Sequence, residues 1–281
     1  MKPLFVPTFL LAILLTACGG TVTSTQAPAP AREPTVNMST SAPQFQTLTV
    51  FAAASLTQAF GEIGRNFESS HPGLTVKFNF AGSQTLRTQL EQGAAADIFA
   101  SANQTEMDAA IKDGLIGQNA SQIFLTNELV VVLPPKNPAN VQTLIGLSKP
   151  GLKLVLAADT VPAGKYARQV LDNMSKDPSF GSDFKTRVLA NVVSNENDVK
   201  QVLAKVQLGE ADAGIVYISD AVAAPELKNI GIPTKFNVIA KYPIAALTRA
   251  SNTDFAGQFI DYVLSSDGQT IFKKWGFTPI Q

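Results

Sequence analysis

The stretch LTVFAAASLTQAF, Leu48 to Phe60, decides the fold class. An apolar run ends in the alanines Ala52 to Ala54, Ser55 follows, and a helical pattern then begins. This reads as a buried strand running directly into a helix whose first turn is capped by a serine. A helix start leaves backbone N–H groups without partners and carries partial positive charge. With only Ala and Ser at the turn, nothing bulky covers those groups, so an anion can sit there. Capping of its own helix is the simpler role for Ser55, and this segment by itself does not demand more.

The first residues stand apart from the fold. Lys2 supplies a positive start, and Leu4 to Leu15 is apolar but too short to span a bilayer comfortably. Leu15-Thr16-Ala17-Cys18-Gly19 then resembles a bacterial lipoprotein signal, with cleavage before the cysteine. Cys18 is the single cysteine of the chain, so it has no intramolecular disulfide partner. The expectation is a signal peptide over 1–17, a lipidated Cys18, and a flexible tether over 18–45 rich in Thr, Ser, Ala, Pro and Gln. The product would be exported and lipid-anchored to the outer face of the cytoplasmic membrane.

The body, from residue 46 onward, is long enough for one large or two ordinary domains. The chain's 22 basic and 22 acidic residues balance. Only Lys2, Arg32 and Glu33 lie before the body, which is therefore within one charge of neutral. A nucleic-acid partner is excluded on that ground, because phosphate binding wants a basic face. Any anion must be held by local dipoles rather than by a global field.

Strands and helices alternate throughout. Strands are expected at Leu48–Ala54, Leu74–Phe80, Asp97–Ala100, Leu129–Leu133, Lys153–Ala157, Val188–Val193, Ala213–Val216 and Tyr242–Leu247. Helices are expected at Leu56–Ser69, Gln84–Gln92, Gln104–Asp113, Gly164–Met174, Asp198–Gln207, Phe255–Leu264 and Gly268–Trp275. This is an α/β protein with mainly parallel sheets. A strand followed by a short loop of small or polar residues and a helix start recurs at Ala54-Ser55, Ala81-Gly82-Ser83, Val161-Pro162-Ala163-Gly164 and Asn195-Glu196-Asn197-Asp198. Ligands of open α/β sheets bind outside the carboxyl ends of the strands, so these helix starts could converge on one small ligand.

Catalytic constellations are scarce. The one histidine, His71, precedes Pro72-Gly73 in a surface turn. Without a second His or Cys, a zinc site of the usual ligands is unavailable, and no G-x-S-x-G elbow is present. Gly164-Lys165 lacks the upstream glycine of a phosphate loop. An exported hydrolase working through carboxylates remains the reading from a different class.

Taken together, VFAAASLTQAF from Val50, FAGSQTLRTQLEQGAAADIFASANQ from Phe80, VPAGKYA from Val161, ENDVKQVLAKVQLGEADAGIVYISDA from Glu196, YPIAAL and SSDGQTIFKKWGF resemble the periplasmic molybdate-binding proteins of molybdate ABC transporters, over residues 47–278. The resemblance implies a two-lobed α/β fold of the type II binding-protein kind, with mainly parallel sheets, a two-strand hinge and ligand in the interlobe cleft. Lobe 1 would comprise 46–128 plus 243–281 and lobe 2 would comprise 129–242. The chain would cross near Glu128 to Leu133 and again near Lys241 to Ala246.

The resemblance also implies a function and a site. The protein would bind molybdate, and tungstate comparably, and deliver it to an ABC permease. It would act as a monomer, without catalysis and without a cofactor. Ser55, Ser83 and Tyr217 would donate hydroxyl hydrogens, and Ala163 and Val199 backbone N–H groups. Molybdenum would be held as its oxyanion through these five residues, with no direct metal ligand. Gln84 and Ala95 depart from common family residues, and Gln84, beside the expected site, bears on the geometry around Ser83. Another tetrahedral oxyanion, sulfate or phosphate, is the alternative within the class, and a ligand-sensing lipoprotein without a transporter is a third reading.

Overall fold

The computed structural model describes residues 20, 21, 23 and 46–280. The expected signal segment, Cys18 and most of the tether lie outside the described residues. Among those described, no helix is long and apolar enough to cross a membrane.

The chain begins with β1 (Gln46–Ala53), a 3₁₀ turn at Ala54–Leu56, and α1 (Thr57–Ser70). Then come β2 (Leu74–Ala81), α2 (Ser83–Glu91), β3 (Ile98–Ala100), α3 (Gln104–Lys112) and β4 (Gln122–Asn127). Next are β5 (Leu129–Leu133), β6 (Leu154–Ala157), α4 (Pro162–Ser175), α5 (Phe184–Leu189), β7 (Val192–Glu196), α6 (Val199–Gln207), β8 (Ala213–Tyr217), α7 (Ile218–Val222) and β9 (Lys228–Gly231). The chain closes with β10 (Ala240–Ala246), α8 (Thr253–Leu264), α9 (Ser266–Lys274) and β11 (Thr278–Pro279).

Two sheets result, in the orders β11-β4-β10-β3-β1-β2 and β7-β6-β8-β5-β9. The strands that lead into the small-residue loops pair in parallel: β1 with β2 and β3, and β6 with β7 and β8. The strands near the crossings pair antiparallel: β10 with β3 and β4, β11 with β4, and β5 with β8 and β9. The sheets are therefore mixed rather than mainly parallel. A strand that enters a sheet from the other half of the molecule has no βαβ crossover to force the parallel sense.

The chain passes between sheets at Glu128, the one residue separating β4 from β5, and returns through residues 232–239. Leu129–Leu133 lies wholly in the second sheet and Lys241–Ala246 wholly in the first, so the links sit at strand ends rather than within those segments. Asn237 joins the two passages: its Oδ1 accepts from Leu129 N–H at 3.1 Å and its Nδ2 donates to Leu129 O at 2.9 Å.

One expected strand is divided. Val188 lies in the last turn of α5, with Phe184 and Val188 buried one helical turn apart, and β7 starts only at Val192. Asn191 makes the break, its amide donating to the carbonyls of Leu147 and Lys149. An apolar run read by content alone hides such a change of period. Strands β4, β9 and β11 and the short α7 have no counterpart among the expected elements.

In β1, Leu48, Val50 and Ala52 face one core cluster, whereas Phe51 belongs to another on the opposite face. This is the period-two alternation of a strand covered on both sides. Phe60 of α1 anchors the larger cluster, with ring centroids 5.9 Å from Phe78, Phe124, Phe259 and Phe272. Phe259 and Phe272 are fully buried, while Tyr262 and Trp275 pack at its margin. The C-terminal aromatics thus serve the core.

Candidate functional site

Five strands end at one place between the two sheets. β1 leads to Ser55, β2 to Ser83, β6 to Ala163, β7 to Val199 and β8 to Tyr217. All five residues line a single cavity, together with Ala53, Ala54, Ala81, Gly82, Ala102, Val161, Pro162 and Asp198. The resemblance to the molybdate-binding proteins implies this set of five, and the fold brings all of them together.

The cavity is small. The space open to the centre of a water molecule is about 10 Å³. Spread as a sphere, that is a radius of about 1.3 Å, or about 2.7 Å once the 1.4 Å water radius is added. This is the scale of one tetrahedral ion and well below that of a sugar or a drug-sized ligand.

The lining consists of donors and small apolar groups. Ser83 Oγ accepts a hydrogen bond from Ala102 N–H at 3.0 Å, which leaves its own hydrogen free to be donated. Ser55 sits in the 3₁₀ turn, and its hydroxyl pairs with the Tyr242 hydroxyl at 2.9 Å. It makes no side-chain cap, in contrast to the role expected for it. Leu56 takes the N-cap position of α1 instead. Ala163 and Val199 lie in the first turns of α4 and α6, where N–H groups have no acceptor within their own helix. The Tyr217 hydroxyl is buried and has no hydrogen-bond partner among the described residues. Burial, with the neighbouring Tyr242 and Tyr166 adding to it, pushes the Tyr217 phenol far above its ordinary range. It therefore keeps its proton and can act only as a neutral donor or acceptor.

No lysine or arginine lines the cavity. Asp198, the one charged residue that does, is committed elsewhere. Its Oδ1 accepts from Gln201 N–H at 3.0 Å and its Oδ2 from Gln201 Nε2 at 2.7 Å, as an N-cap. The electrostatics of the cavity come from converging helix N-termini, each with partial positive charge.

Three further residues support the site. Tyr242, on β10, is fully buried behind Ser55, and burial raises its phenol well above the ordinary range. Arg168 donates to Ala157 O and Gly164 O, both at 2.9 Å, and to Asn195 Oδ1 at 2.8 Å. It thereby ties together the two second-sheet loops that present Ala163 and Val199. Gly164 allows the first turn of α4 to press on the end of β6, since a Cβ there would collide with the carbonyl oxygens of Ala157 and Ala158. His71 lies away from the cavity, at the C-cap of α1, with its ring against Phe67. Among the described residues there is no cluster of His, Cys, Asp or Glu able to hold a metal ion.

Residues 48–278 match the model of the family described as bacterial extracellular solute-binding protein. The molybdate-binding protein ModA of Mycobacterium tuberculosis (strain H37Rv) is 40% identical over 233 residues, 83% of this chain and 84% of that one. The molybdate-binding protein ModA of Escherichia coli (strain K12) is 35% identical over 238 residues, 82% and 88% of the two chains. The solved periplasmic molybdate-binding protein of Azotobacter vinelandii superposes with a TM-score of 0.72 over 83% of this chain and all of that one. At 18% identity this last likeness speaks for the fold alone. A family model spanning nearly all of the described body, joined to relatives of this identity and coverage, places the chain among the bacterial extracellular solute-binding proteins.

Proposed function

We propose that this protein captures molybdate outside the cytoplasmic membrane and delivers it to an ABC permease. The observation that carries the reading is the cavity itself: five donors from two sheets, room for one tetrahedral ion, and no cation in the wall. A dianion with no hydrogens can only accept, and every polar group offered to it here can donate. Ser55, Ser83 and Tyr217 supply hydroxyls, and Ala163 and Val199 supply backbone N–H groups. Each charge-assisted bond contributes about 1.5–3 kcal/mol net, and several together offset the dehydration of the ion. Molybdenum is held through its oxygens, without direct metal ligands.

Residues 46–128 plus 240–281 act as one lobe and 129–239 as the other, closing by rotation about Glu128 and the 232–239 return. Tungstate, of nearly the same size, binds comparably. Sulfate, with shorter bonds to oxygen, leaves the donors under-reached. The protein is a binding component rather than an enzyme, needs no cofactor, and works as a monomer held at the membrane through a lipidated Cys18.

Calorimetry with molybdate, tungstate, sulfate and phosphate tests this. Molybdate and tungstate should bind with similar affinity and exceed the other two by at least tenfold. Sulfate bound as tightly as molybdate would remove the selectivity claim. Binding of phosphate alone would move the protein to another oxyanion.

A further inference from the structure

Two hydrogen bonds cross the cleft to the segment that bears Val199, one from the residue after Ser83 and one from three residues after Ser55; Lys165 Nζ crosses elsewhere, to Thr105 Oγ1 at 3.4 Å. Gln84, adjacent to Ser83, donates from Nε2 to Asn197 O at 3.1 Å. Gln58, three residues after Ser55, accepts at Oε1 from Lys200 Nζ at 2.8 Å. Asn197 and Lys200 flank Val199, whose N–H faces the cavity in the proposed site. The segment 197–200 is thus bonded to the opposite lobe at both of its ends.

Neither bond is needed to complete a lobe. Lys200 already has an ionic partner in its own lobe, since its Nζ lies 2.8 Å from the carboxylate of the fully buried Asp220. Gln84 and Gln58 stand on α2 and α1, where water would satisfy their amides if the cleft opened. The approach between lobes is close at this point: a Cβ on Gly82 would lie 2.5 Å from Asn197 O. Any side chain at position 82 would hold the segment away.

We infer that Gln58 and Gln84 form a clasp that holds the Val199 segment over a captured oxyanion and so sets how slowly the ion leaves. This deepens the proposed function and rests on that reading of the cavity. A bond that exists only when the cleft is closed stabilises the closed state and leaves ligand entry into the open state unaffected. Gln58 and Gln84 are positioning residues, since they act through the segment bearing Val199 and need not touch the ion.

The test is the release of radiolabelled molybdate from the full chain into an excess of unlabelled molybdate, for Gln58→Ala, Gln84→Ala and the double variant. Lys200 is left intact, because its removal would strand the buried Asp220 carboxylate. Each single change should speed release by about threefold to tenfold, with the association rate unchanged and thermal unfolding of the ligand-free protein unaltered. Unchanged release in the double variant overturns the clasp, and so does a loss of affinity carried by slower association. If the wild-type protein retains neither molybdate nor tungstate, the reading of the cavity fails, and the clasp, which needs a captured oxyanion, falls with it; a wild type that retains the ion while the double variant releases it no faster overturns the clasp alone.

Discussion

The hydroxyl of Ser55 lies 2.9 Å from that of Tyr242, although 187 residues separate them in the chain. Both are buried, and the raised Tyr242 phenol stays protonated throughout the physiological range. One hydroxyl must donate to the other. An acceptor-only ion in the cavity draws the Ser55 hydrogen toward itself, so Tyr242 then donates to Ser55. The tyrosine fixes the polarity of a donor that it stands behind. Tyr242→Phe should therefore weaken oxyanion binding by about fivefold, the equivalent of one neutral hydrogen bond of about 1 kcal/mol, while the protein remains folded. Calorimetry reads the effect, and unchanged affinity would show that Ser55 orients itself.

Tyr217 and Ser83 should separate stability from binding in opposite ways. The Tyr217 hydroxyl has no partner among the described residues, and a buried polar atom left unpaired costs about 1–3 kcal/mol. Tyr217→Phe should raise the thermal stability of the ligand-free protein by about 1 kcal/mol while lowering molybdate affinity by about tenfold or more. Ser83→Ala should lower both, because Ala102 N–H loses its acceptor along with the ion losing a donor. Thermal melts with and without molybdate distinguish the two patterns.

How much of this was legible in the sequence depends on how local the signal is. Each proposed donor sits at the carboxyl end of a strand, immediately before or within the first turn of a helix. Small or polar residues between an apolar run and a helical period mark such a place for Ser55, Ser83, Ala163 and Val199 without any tertiary information, whereas Tyr217 is reached only through the family resemblance. The division of the sheets was not legible in this way. β4 and β5 are separated only by Glu128, and apolar periodicity runs past the point where the chain changes sheets. Asn191 likewise interrupts an apolar run whose first part is helix and second part strand. The Ser55–Tyr242, Gln58–Lys200 and Gln84–Asn197 pairs are products of the tertiary fold. Nothing in the spacing of those residues announces them.

Glu62 gives the fold a measurable pH dependence. It accepts from Lys274 Nζ and from Trp275 Nε1, each at 2.9 Å, tying α1 to the end of α9. The bond from Lys274 is the main reason its carboxyl lies below the usual 4.5, burial opposes, and the Trp275 bond adds to the lowering. With the folded pKa depressed, the unfolded chain binds more protons as pH falls through 4.5. The contribution is thus complete above that value and is lost as pH falls through the folded pKa. Glu62→Gln should cost roughly 0.5–1 kcal/mol at pH 7, as expected of a partly exposed pair, with a smaller gap from wild type at about pH 3. Urea unfolding at the two pH values, followed through the fluorescence of Trp275, the single tryptophan, measures it. A gap independent of pH would mean that packing rather than charge is responsible.

Gly164 offers a test whose sign is informative. In an ordinary helix, Gly→Ala stabilises by about 1 kcal/mol through backbone entropy. Here the added Cβ would collide with the carbonyl oxygens of Ala157 and Ala158, which belong to the backbone and cannot rotate aside. The first turn of α4 would have to withdraw from the end of β6, taking Ala163 N–H with it and straining the Arg168 bonds to Ala157 O and Gly164 O. Gly164→Ala should therefore destabilise by about 1–3 kcal/mol, the usual cost of overpacking. It should also weaken oxyanion binding by more than Tyr242→Phe does, since it displaces a proposed donor rather than reorienting one. A melt and a calorimetric titration on the same preparation suffice. A variant more stable than wild type, with affinity intact, would show that this turn is loose and that Ala163 is not held in place by its contact with the strand.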